Sequence, residues 1–267
     1  MTLLHQEIFQ GPETFLPITS RGVAYGDGIF TTAKIEAGEV KALNLHITRL
    51  TEGSEWLGLT FDSTLLTAHL QQLAKQFPLA VLKVLLTAGE GGRGYSRANA
   101  SAEKILITVH EFPKHYFNWQ KKGIWLGLAE TKLGINPLLA SKKHLNRLEQ
   151  VFVRRELDAR KEDDIVVLDI NNNVVETSAG NIFWLPRGSK QWQTPSVVNA
   201  GVDGLVRQQL LSQIPTTIVE QCPIDLLDNA EAAFICNSVM ELVPVSMWRD
   251  KPLTINAVQD VQEMVKL

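Results

Sequence analysis

The sequence feature that most constrains this chain is the segment 141–150, near its middle, in which two adjacent lysines precede a helical pattern. Upstream, residues 133–137 are interrupted by glycine and proline, whereas downstream apolar residues recur at three- to five-residue steps, which predicts an amphipathic helix. A lysine in the loop or first turn before this helix would face the positive end of the helix dipole, which disfavours its charge. Lys142 or Lys143 is therefore a candidate amine nucleophile or base, with a pair of surface lysines as the alternative.

Length and composition restrict the class of protein. The 267 residues suffice for two domains or one large domain, and an apolar fraction of 45% allows a real core. A net charge of −3 gives no basic field for nucleic acid, and no paired histidines suggest a metal, so we expect neither partner. Cys222 and Cys236 stand alone, which favours reduced cysteines in a cytoplasmic protein. We expect no signal peptide and no membrane-spanning segment, because neither pattern is present.

Short strand and helix patterns alternate along the chain. In the first part, strand patterns at 29–35 and 81–87 flank helix patterns at 46–59 and 63–77. The later part again mixes strands with helices, for example a buried strand pattern at 164–170. The sequence therefore predicts a mixed α/β (α+β) fold.

The predicted division into domains follows from a change of pattern in the middle of the chain. Residues 113–122 have no clear period and begin with a proline, which predicts an interdomain linker. We therefore expect an N-terminal α/β domain at 1–112 and a C-terminal domain at 123–267. The lysine segment falls in the C-terminal domain.

Several other segments are candidates for binding charged groups. The glycines at 89–94 could present Arg93 to a carboxylate, or simply form a surface turn. Residues 201–207 place two glycines before a helix, whose first N–H groups suit an anion such as phosphate. Arg49 could add a charge to that anion, and Glu176 could be a buried partner for a protonated heterocycle. Each of these two could equally be an ordinary surface residue.

Together, these candidates match the needs of one cofactor. Pyridoxal phosphate has an aldehyde that takes a lysine amine, a phosphate that takes N–H groups and an arginine, and a ring nitrogen that takes a carboxylate. Its substrates usually carry a carboxylate as well, which an arginine would hold. No single segment is specific, but the combination indicates a pyridoxal-phosphate enzyme.

The order and spacing of six motifs resemble the fold type IV pyridoxal-phosphate enzymes over nearly the whole chain. The motifs are Tyr25-Gly-Asp-Gly-Ile-Phe30, His46-Ile-Thr-Arg-Leu50, Lys143-His-Leu-Asn-Arg-Leu148, Glu176-Thr-Ser-Ala-Gly-Asn-Ile-Phe183, Gly204-Leu-Val-Arg207 and Asn237-Ser-Val-Met-Glu-Leu-Val-Pro-Val245. The group contains branched-chain aminotransferases, D-amino-acid aminotransferases and 4-amino-4-deoxychorismate lyases. The resemblance implies a smaller N-terminal α/β domain, a larger C-terminal pseudobarrel domain, and a homodimer.

The resemblance also implies which residues bind the cofactor. In the K-x-L-N pattern of this family, Lys143 rather than Lys142 stands at the right interval, so Lys143 is expected to bind pyridoxal phosphate covalently. Glu176 matches the carboxylate that pairs with the ring nitrogen. The implied phosphate ligands are Arg49, the N–H groups of Leu205 and Val206, and the hydroxyl of Ser238. Asn237 is a further implied cofactor-binding residue.

Within the group, the segments 91–96, 30–33 and 143–150 are similar to the lyases. This similarity implies conversion of 4-amino-4-deoxychorismate to 4-aminobenzoate and pyruvate, a step toward folate. The alternative is a D-amino-acid or branched-chain aminotransferase of the same fold. Lys143 and its polar neighbour Thr31 are the implied catalytic residues. The implied substrate-binding residues are Arg93, Tyr95, Tyr25 and Phe30.

Overall fold

The computed structural model describes residues 1–10 and 16–266, and the chain divides into two compact units. Unit 1 contains Met1–Pro113 together with Lys143–Asn146, and unit 2 contains Lys114–Lys142 and Arg147–Leu267. Four residues of the lysine segment therefore pack with unit 1, although the chain on both sides of them belongs to unit 2. No helix among the described residues is long and apolar enough to cross a membrane.

Unit 1 is built on a five-stranded antiparallel sheet with the strand order β1-β5-β4-β2-β3. Its strands are β1 (Leu3–Phe9), β2 (Gly28–Glu36), β3 (Glu39–Val40), β4 (Leu79–Thr87) and β5 (Lys104–Glu111). Its helices are α1 (Arg21–Tyr25), α2 (Leu43–Leu57) and α3 (Ser63–Ala74). Helices α2 and α3 pack on one face of the sheet, where alternate strand residues such as Ile29, Ala33 and Ile35 are buried against Leu50 and Leu66.

The ends of the helices in unit 1 follow from local chemistry. Helix α2 ends before Gly58, which adopts a left-handed conformation with φ of +65°. The carboxylate of Asp62 accepts a hydrogen bond from the N–H of Leu65 and thereby caps the start of α3. Both predicted helices exist, but α2 begins earlier than predicted and α3 ends earlier, because the residues after Ala74 form a turn.

Unit 2 contains a nine-stranded mixed sheet with the order β11-β10-β9-β12-β13-β6-β7-β8, and with β14 beside β13. The strands are β6 (Ile124–Leu133), β7 (Asp164–Asp169), β8 (Val174–Thr177), β9 (Asn181–Pro186), β10 (Trp192–Pro195), β11 (Thr216–Val219), β12 (Ala230–Asn237), β13 (Glu241–Trp248) and β14 (Lys251–Pro252). The helices are α4 (Tyr116–Lys122), α5 (Leu148–Asp158), α6 (Leu205–Gln213), α7 (Ile224–Asp228) and α8 (Asn256–Met264). The predicted mixed α/β class is confirmed.

Two segments differ from the sequence-based expectation. Residues 113–122, predicted as a linker, contain helix α4, which is tied to unit 2 by a 2.9 Å hydrogen bond from Gln120 Nε2 to the carbonyl of Met240. Helix α5 begins only at Leu148, so Lys143 lies in an extended segment outside its first turn. The helix dipole falls off within one turn, and the expected dipole effect on this lysine was therefore wrong.

The buried sheet residues of unit 1 should dominate its stability. Ile107 is fully buried in the middle of β5, whereas Ile18 is 88% exposed. We expect Ile107→Ala to lower the free energy of unfolding by about 2–5 kcal/mol, because it removes buried methyl groups and leaves a cavity. Urea unfolding of both variants is the measurement. Ile18→Ala is the matched control and should change the free energy by less than about 0.5 kcal/mol; equal effects of the two substitutions would contradict the assigned core.

Candidate active site

Strand β2 holds the lysine segment in place through a short backbone pairing. The N–H of Phe30 donates to the carbonyl of Lys143 at 2.9 Å, and the N–H of Leu145 donates to the carbonyl of Gly28 at 3.0 Å. Ile29 and His144 form the antiparallel bridge between these two bonds. Because side chains alternate along an extended segment, His144 is buried on the side of Ile29 and Lys143 lies on the other side.

The Lys143 side chain lies over an aromatic ring. Its Nζ is 4.6 Å from the centroid of the Phe30 ring, which is within range of a cation–π contact. A second ammonium, that of Lys83 on β4, lies 5.1 Å from the same centroid. Burial lowers the pKa of Lys83. Lys83 was not predicted as a site residue, since a lone lysine in a strand is usually a surface residue.

Thr31, predicted as a catalytic neighbour of Lys143, lies on the helix-covered face of the sheet. Its Oγ1 is 2.6 Å from Nδ1 of His46, and both side chains are buried. The pKa of His46 is lowered to about 3, first by its burial and then by the charges of Arg49 and Lys143. A neutral His46 can therefore hold the Thr31 hydroxyl on one side while two cationic side chains lie nearby. Sequence reasoning assigned no role to His46, although it belongs to one of the motifs.

The glycine-rich loop is organised around the buried guanidinium of Arg21. This guanidinium donates to the carbonyls of Gly91, Gly94, Tyr95 and Ser96 at 3.0–3.2 Å. It also forms a 2.8 Å ion pair with Asp27, and Arg97 binds the same carboxylate. The two arginines lower the pKa of Asp27 against the opposing effect of burial, which is the largest single influence. Arg21 looks like an ordinary charged residue in the sequence, and only the fold reveals its role.

The predicted substrate residues of this loop are exposed in the single chain. Arg93 is exposed, and Tyr95 is 89% exposed. The ring of Tyr95 contacts that of Tyr25 edge-on, with 5.5 Å between the centroids. The guanidinium carbon of Arg21 lies 5.0 Å from the centroid of the Tyr25 ring, so Arg21 supports both the loop and this aromatic pair.

In unit 2, Glu176 is a buried carboxylate with a fixed orientation. It is 6% exposed, and its Oε2 accepts a 3.0 Å hydrogen bond from the N–H of Val202. A Cβ on Gly201, which has a φ of +83°, would lie 2.6 Å from Val175 Cγ1 and 3.1 Å from this oxygen. The Arg147 guanidinium belongs to the same surroundings, because burial lowers its pKa and the Glu176 charge raises it. Arg147 had not been predicted as a site residue.

Leu205 and Val206 are the first two residues of helix α6, and both are buried. N–H groups in the first turn of a helix have no acceptor within the helix and are suited to an anion. Asn181 fixes the approach to this turn: its Nδ2 donates to the carbonyl of Val202 at 2.8 Å, and its Oδ1 accepts from the N–H of Gly204 at 3.1 Å. A Cβ on Gly204 would lie 2.1 Å from Asn181 Oδ1, so only glycine fits there.

The Asn237 side chain is occupied by the turn between β12 and β13. Its Oδ1 accepts from the N–H groups of Val239 and Met240 at 2.8 Å, and its Nδ2 donates to the carbonyl of Ala179 at 2.9 Å. These three bonds leave the amide little capacity for a ligand. Ser238, the next residue, is half-buried in the same turn.

The residue types in both units fit the cofactor that the resemblance implies. Unit 1 supplies the Lys143 amine and the Arg49 guanidinium. Unit 2 supplies the buried Glu176 carboxylate and a helix start where two glycines keep the backbone clear of bulky side chains. An amine, a cation, a carboxylate and a set of N–H donors are the groups that pyridoxal phosphate requires.

Comparison with known proteins identifies a family, related sequences and a related crystal structure. The family model for class IV amino-transferases matches residues 28–248. An aminodeoxychorismate lyase of Vibrio harveyi is 35% identical to the chain over 242 residues, or 88% of each sequence. A putative branched-chain-amino-acid aminotransferase of Methanocaldococcus jannaschii is 25% identical over 237 residues, which cover 85% of this chain and 81% of that protein. The crystal structure of 4-amino-4-deoxychorismate lyase from Pseudomonas aeruginosa matches with a TM-score of 0.88 and 29% identity, over 97% of this chain and 98% of that one.

The burial of His46 predicts how the stability of the folded protein depends on pH. An unfolded histidine takes up a proton near pH 6.5, whereas His46 in the folded protein does so only near pH 3. The folded state should therefore lose up to about 1.4 kcal/mol of stability per pH unit as the pH falls through this interval. We expect His46→Asn to remove this contribution, which urea unfolding at pH 4–7.5 would measure. The difference between the two proteins should be constant above pH 7; parallel curves down to pH 4 would show that His46 is not buried in its neutral form.

Proposed function

The chain belongs to the class IV aminotransferase family, and we propose that it is the pyridoxal-phosphate-dependent lyase that converts 4-amino-4-deoxychorismate to 4-aminobenzoate and pyruvate in folate biosynthesis. The structural observation that carries the proposal is the fixed position of the Lys143 amine over Phe30. The alternative is an aminotransferase of the same family, which would use the same cofactor residues. We favour the lyase because the lyase relative matches at 35% identity and the putative aminotransferase at 25%.

We propose that two sets of residues hold the cofactor. Lys143 takes its aldehyde, and Glu176 accepts the N–H of its pyridine ring while Val202 keeps the carboxylate oriented. The N–H groups that begin α6, the guanidinium of Arg49 and the hydroxyl of Ser238 bind the phosphate. Asn237, whose amide is used within the turn, serves to place Ser238 rather than to bind the phosphate through its side chain.

The proposed chemistry needs one group that carries protons. When bound, pyridoxal phosphate would supply an aldehyde for the substrate amine and an electron sink for the carbon that bears this amine. Lys143 then removes the proton from that carbon, C4, and loss of the C3–O bond makes the ring aromatic. Lys143 can return a proton to the departing enolpyruvyl group, which becomes pyruvate. Glu176 holds a proton at the ring nitrogen throughout and so maintains the electron sink.

The remaining residues are proposed to position the substrate. Arg93 binds a substrate carboxylate with help from Tyr95, and Tyr25 and Phe30 provide aromatic surface. Thr31 acts as a positioning residue for strand β2, since its hydroxyl is engaged by His46.

We also propose a homodimer located in the cytoplasm, with the two units as its domains. Helix α5 presents Leu148, Val151 and Phe152 at 68%, 60% and 42% exposure, an apolar surface that a second copy could cover. The buried free cysteines, Cys222 and Cys236, support a reducing compartment.

The proposed reaction can be tested with the purified protein loaded with pyridoxal phosphate. We expect 4-amino-4-deoxychorismate to be consumed with release of 4-aminobenzoate, followed by its fluorescence, and of an equal amount of pyruvate. A D-amino acid or a branched-chain amino acid, each with 2-oxoglutarate, is the control for transamination. Efficient amino transfer without 4-aminobenzoate would replace the lyase by the alternative.

The two adjacent lysines offer a matched pair of variants. We expect Lys143→Ala to abolish the visible absorbance band of the lysine-bound cofactor and to lower kcat at least about a thousandfold, because both the covalent attachment and the proton carrier are lost. Lys142→Ala should retain the band and most of the activity. Loss of the band in Lys142→Ala but not in Lys143→Ala would mean that the wrong lysine has been assigned.

A further inference from the structure

The sheet of unit 1 carries a row of polar side chains on the face opposite to helices α2 and α3. Directly paired residues of antiparallel strands share a face, and Lys83 is paired with Thr32 on β2 and with Thr108 on β5. The adjacent row on the same face is apolar and consists of Phe30, Leu85 and Leu106. A lysine between two threonines, bordered by an apolar row, has the composition of a binding surface: a few polar groups set in an apolar wall.

The charge of Lys83 is only partly solvated and has no acidic partner among the residues that the structure describes. The side chain is half-buried, and burial lowers its pKa. No carboxylate pairs with it among residues 1–10 and 16–266. The Phe30 ring and His110 are its neighbours, and Lys83 lowers the pKa of His110 after the larger effect of burial. Burial disfavours this ammonium even beside the aromatic ring, and an anion would stabilise it.

The position of Lys83 relative to Lys143 indicates which anion would bind. Both ammonium groups lie within 5.1 Å of the Phe30 ring centroid. The two nitrogen atoms are therefore at most 9.7 Å apart (4.6 Å plus 5.1 Å), a separation that a ring substrate with its reacting carbon at Lys143 can span. The substrate of the proposed reaction carries two carboxylates, and Arg93 has been proposed for one of them.

We propose that Lys83 binds the second carboxylate of the substrate and so selects a cyclic dicarboxylate amine over a simple amino acid. This inference rests on the proposed function. The Lys83 ammonium donates to a carboxylate oxygen of the substrate. The residue is a specificity determinant and takes no part in proton transfer. An alternative role, a cation that only supports the Phe30 ring, leads to different experimental results.

The test uses the holoenzyme and chorismate as a binding probe, because chorismate has both carboxylates and lacks the amine that reacts. We expect Lys83→Met to raise the Kd of chorismate and the KM of aminodeoxychorismate about ten- to hundredfold, which is the effect of losing one charged hydrogen bond. The value of kcat should change less than about threefold, and the cofactor absorbance band should be unchanged. Lys83→Arg should restore most of the affinity. Lys75→Met, at an exposed position after α3, is the matched control and should behave as the wild type.

The measurements distinguish the role of Lys83 from the lyase reaction itself. Wild-type Kd and KM in Lys83→Met would overturn the role of Lys83 and leave the lyase reaction intact. A wild-type protein that releases no 4-aminobenzoate would overturn the proposed function, whereas the chorismate Kd, which needs no turnover, would still report on Lys83. If Lys83→Met fails to fold, Lys83→Gln replaces it, and a wild-type Kd in that variant would equally overturn the inference. A lower melting temperature with an unchanged Kd would identify Lys83 as a support for Phe30.

Discussion

The backbone pairing between β2 and Lys143–Leu145 is the constraint on which the candidate site depends. Its two hydrogen bonds contribute only about 1 kcal/mol each, yet they decide which way every side chain of the segment faces. The chain enters the segment from unit 2, where Ser141 adopts a φ of +65° and its N–H donates to the carbonyl of Gly201 at 3.0 Å. It returns there at Arg147, which donates to the carbonyl of Lys142 at 2.6 Å. Lys143 thus lies in a short extended segment with a hydrogen bond at each end, one from the backbone N–H of Ser141 and one from the Arg147 guanidinium, and with no helix involved.

Many of the candidate residues are charged groups that are partly or fully buried. Unit 1 places the cationic Lys143 and Arg49 near a histidine that burial keeps neutral, and Lys83 beside the Phe30 ring. Unit 2 places the Glu176 carboxylate near the half-buried Arg147. Partly buried cations are expensive unless an anion accompanies them. A phosphate-bearing cofactor and a dicarboxylate substrate are anions of the required kind. In the proposed function, binding would therefore also stabilise the folded protein, because a ligand that binds only the folded state shifts the equilibrium toward it.

Sequence reasoning identified features that depend on local spacing, and missed those that depend on tertiary pairing. The glycines before α6 and the carboxylate of Glu176 are visible as motifs, because each motif lies within a few residues of chain. Arg21 has no such signal: its bonds to the carbonyls of a loop about seventy residues away exist only after folding. Lys83 has no such signal either, since the Phe30 ring that it contacts lies on the neighbouring strand. The predicted effect of the helix dipole on the Lys143 charge was wrong, because helix α5 starts later than the apolar period suggests.

The two threonines of β2 show why a sequence motif does not fix which side chain meets a substrate. Side chains alternate along a strand, so the segment 30–32 directs Phe30 and Thr32 to one face and Thr31 to the other. Thr31 is buried against His46, while Thr32 is paired with Lys83 on the face of the sheet that carries Phe30. The threonine directly after Phe30 therefore lies on the helix side of the sheet, and the next one lies on the side of Phe30, whose ring Lys143 contacts. If a threonine of this strand contacts the substrate, the alternation selects Thr32, which a comparison of motifs alone would not distinguish from Thr31.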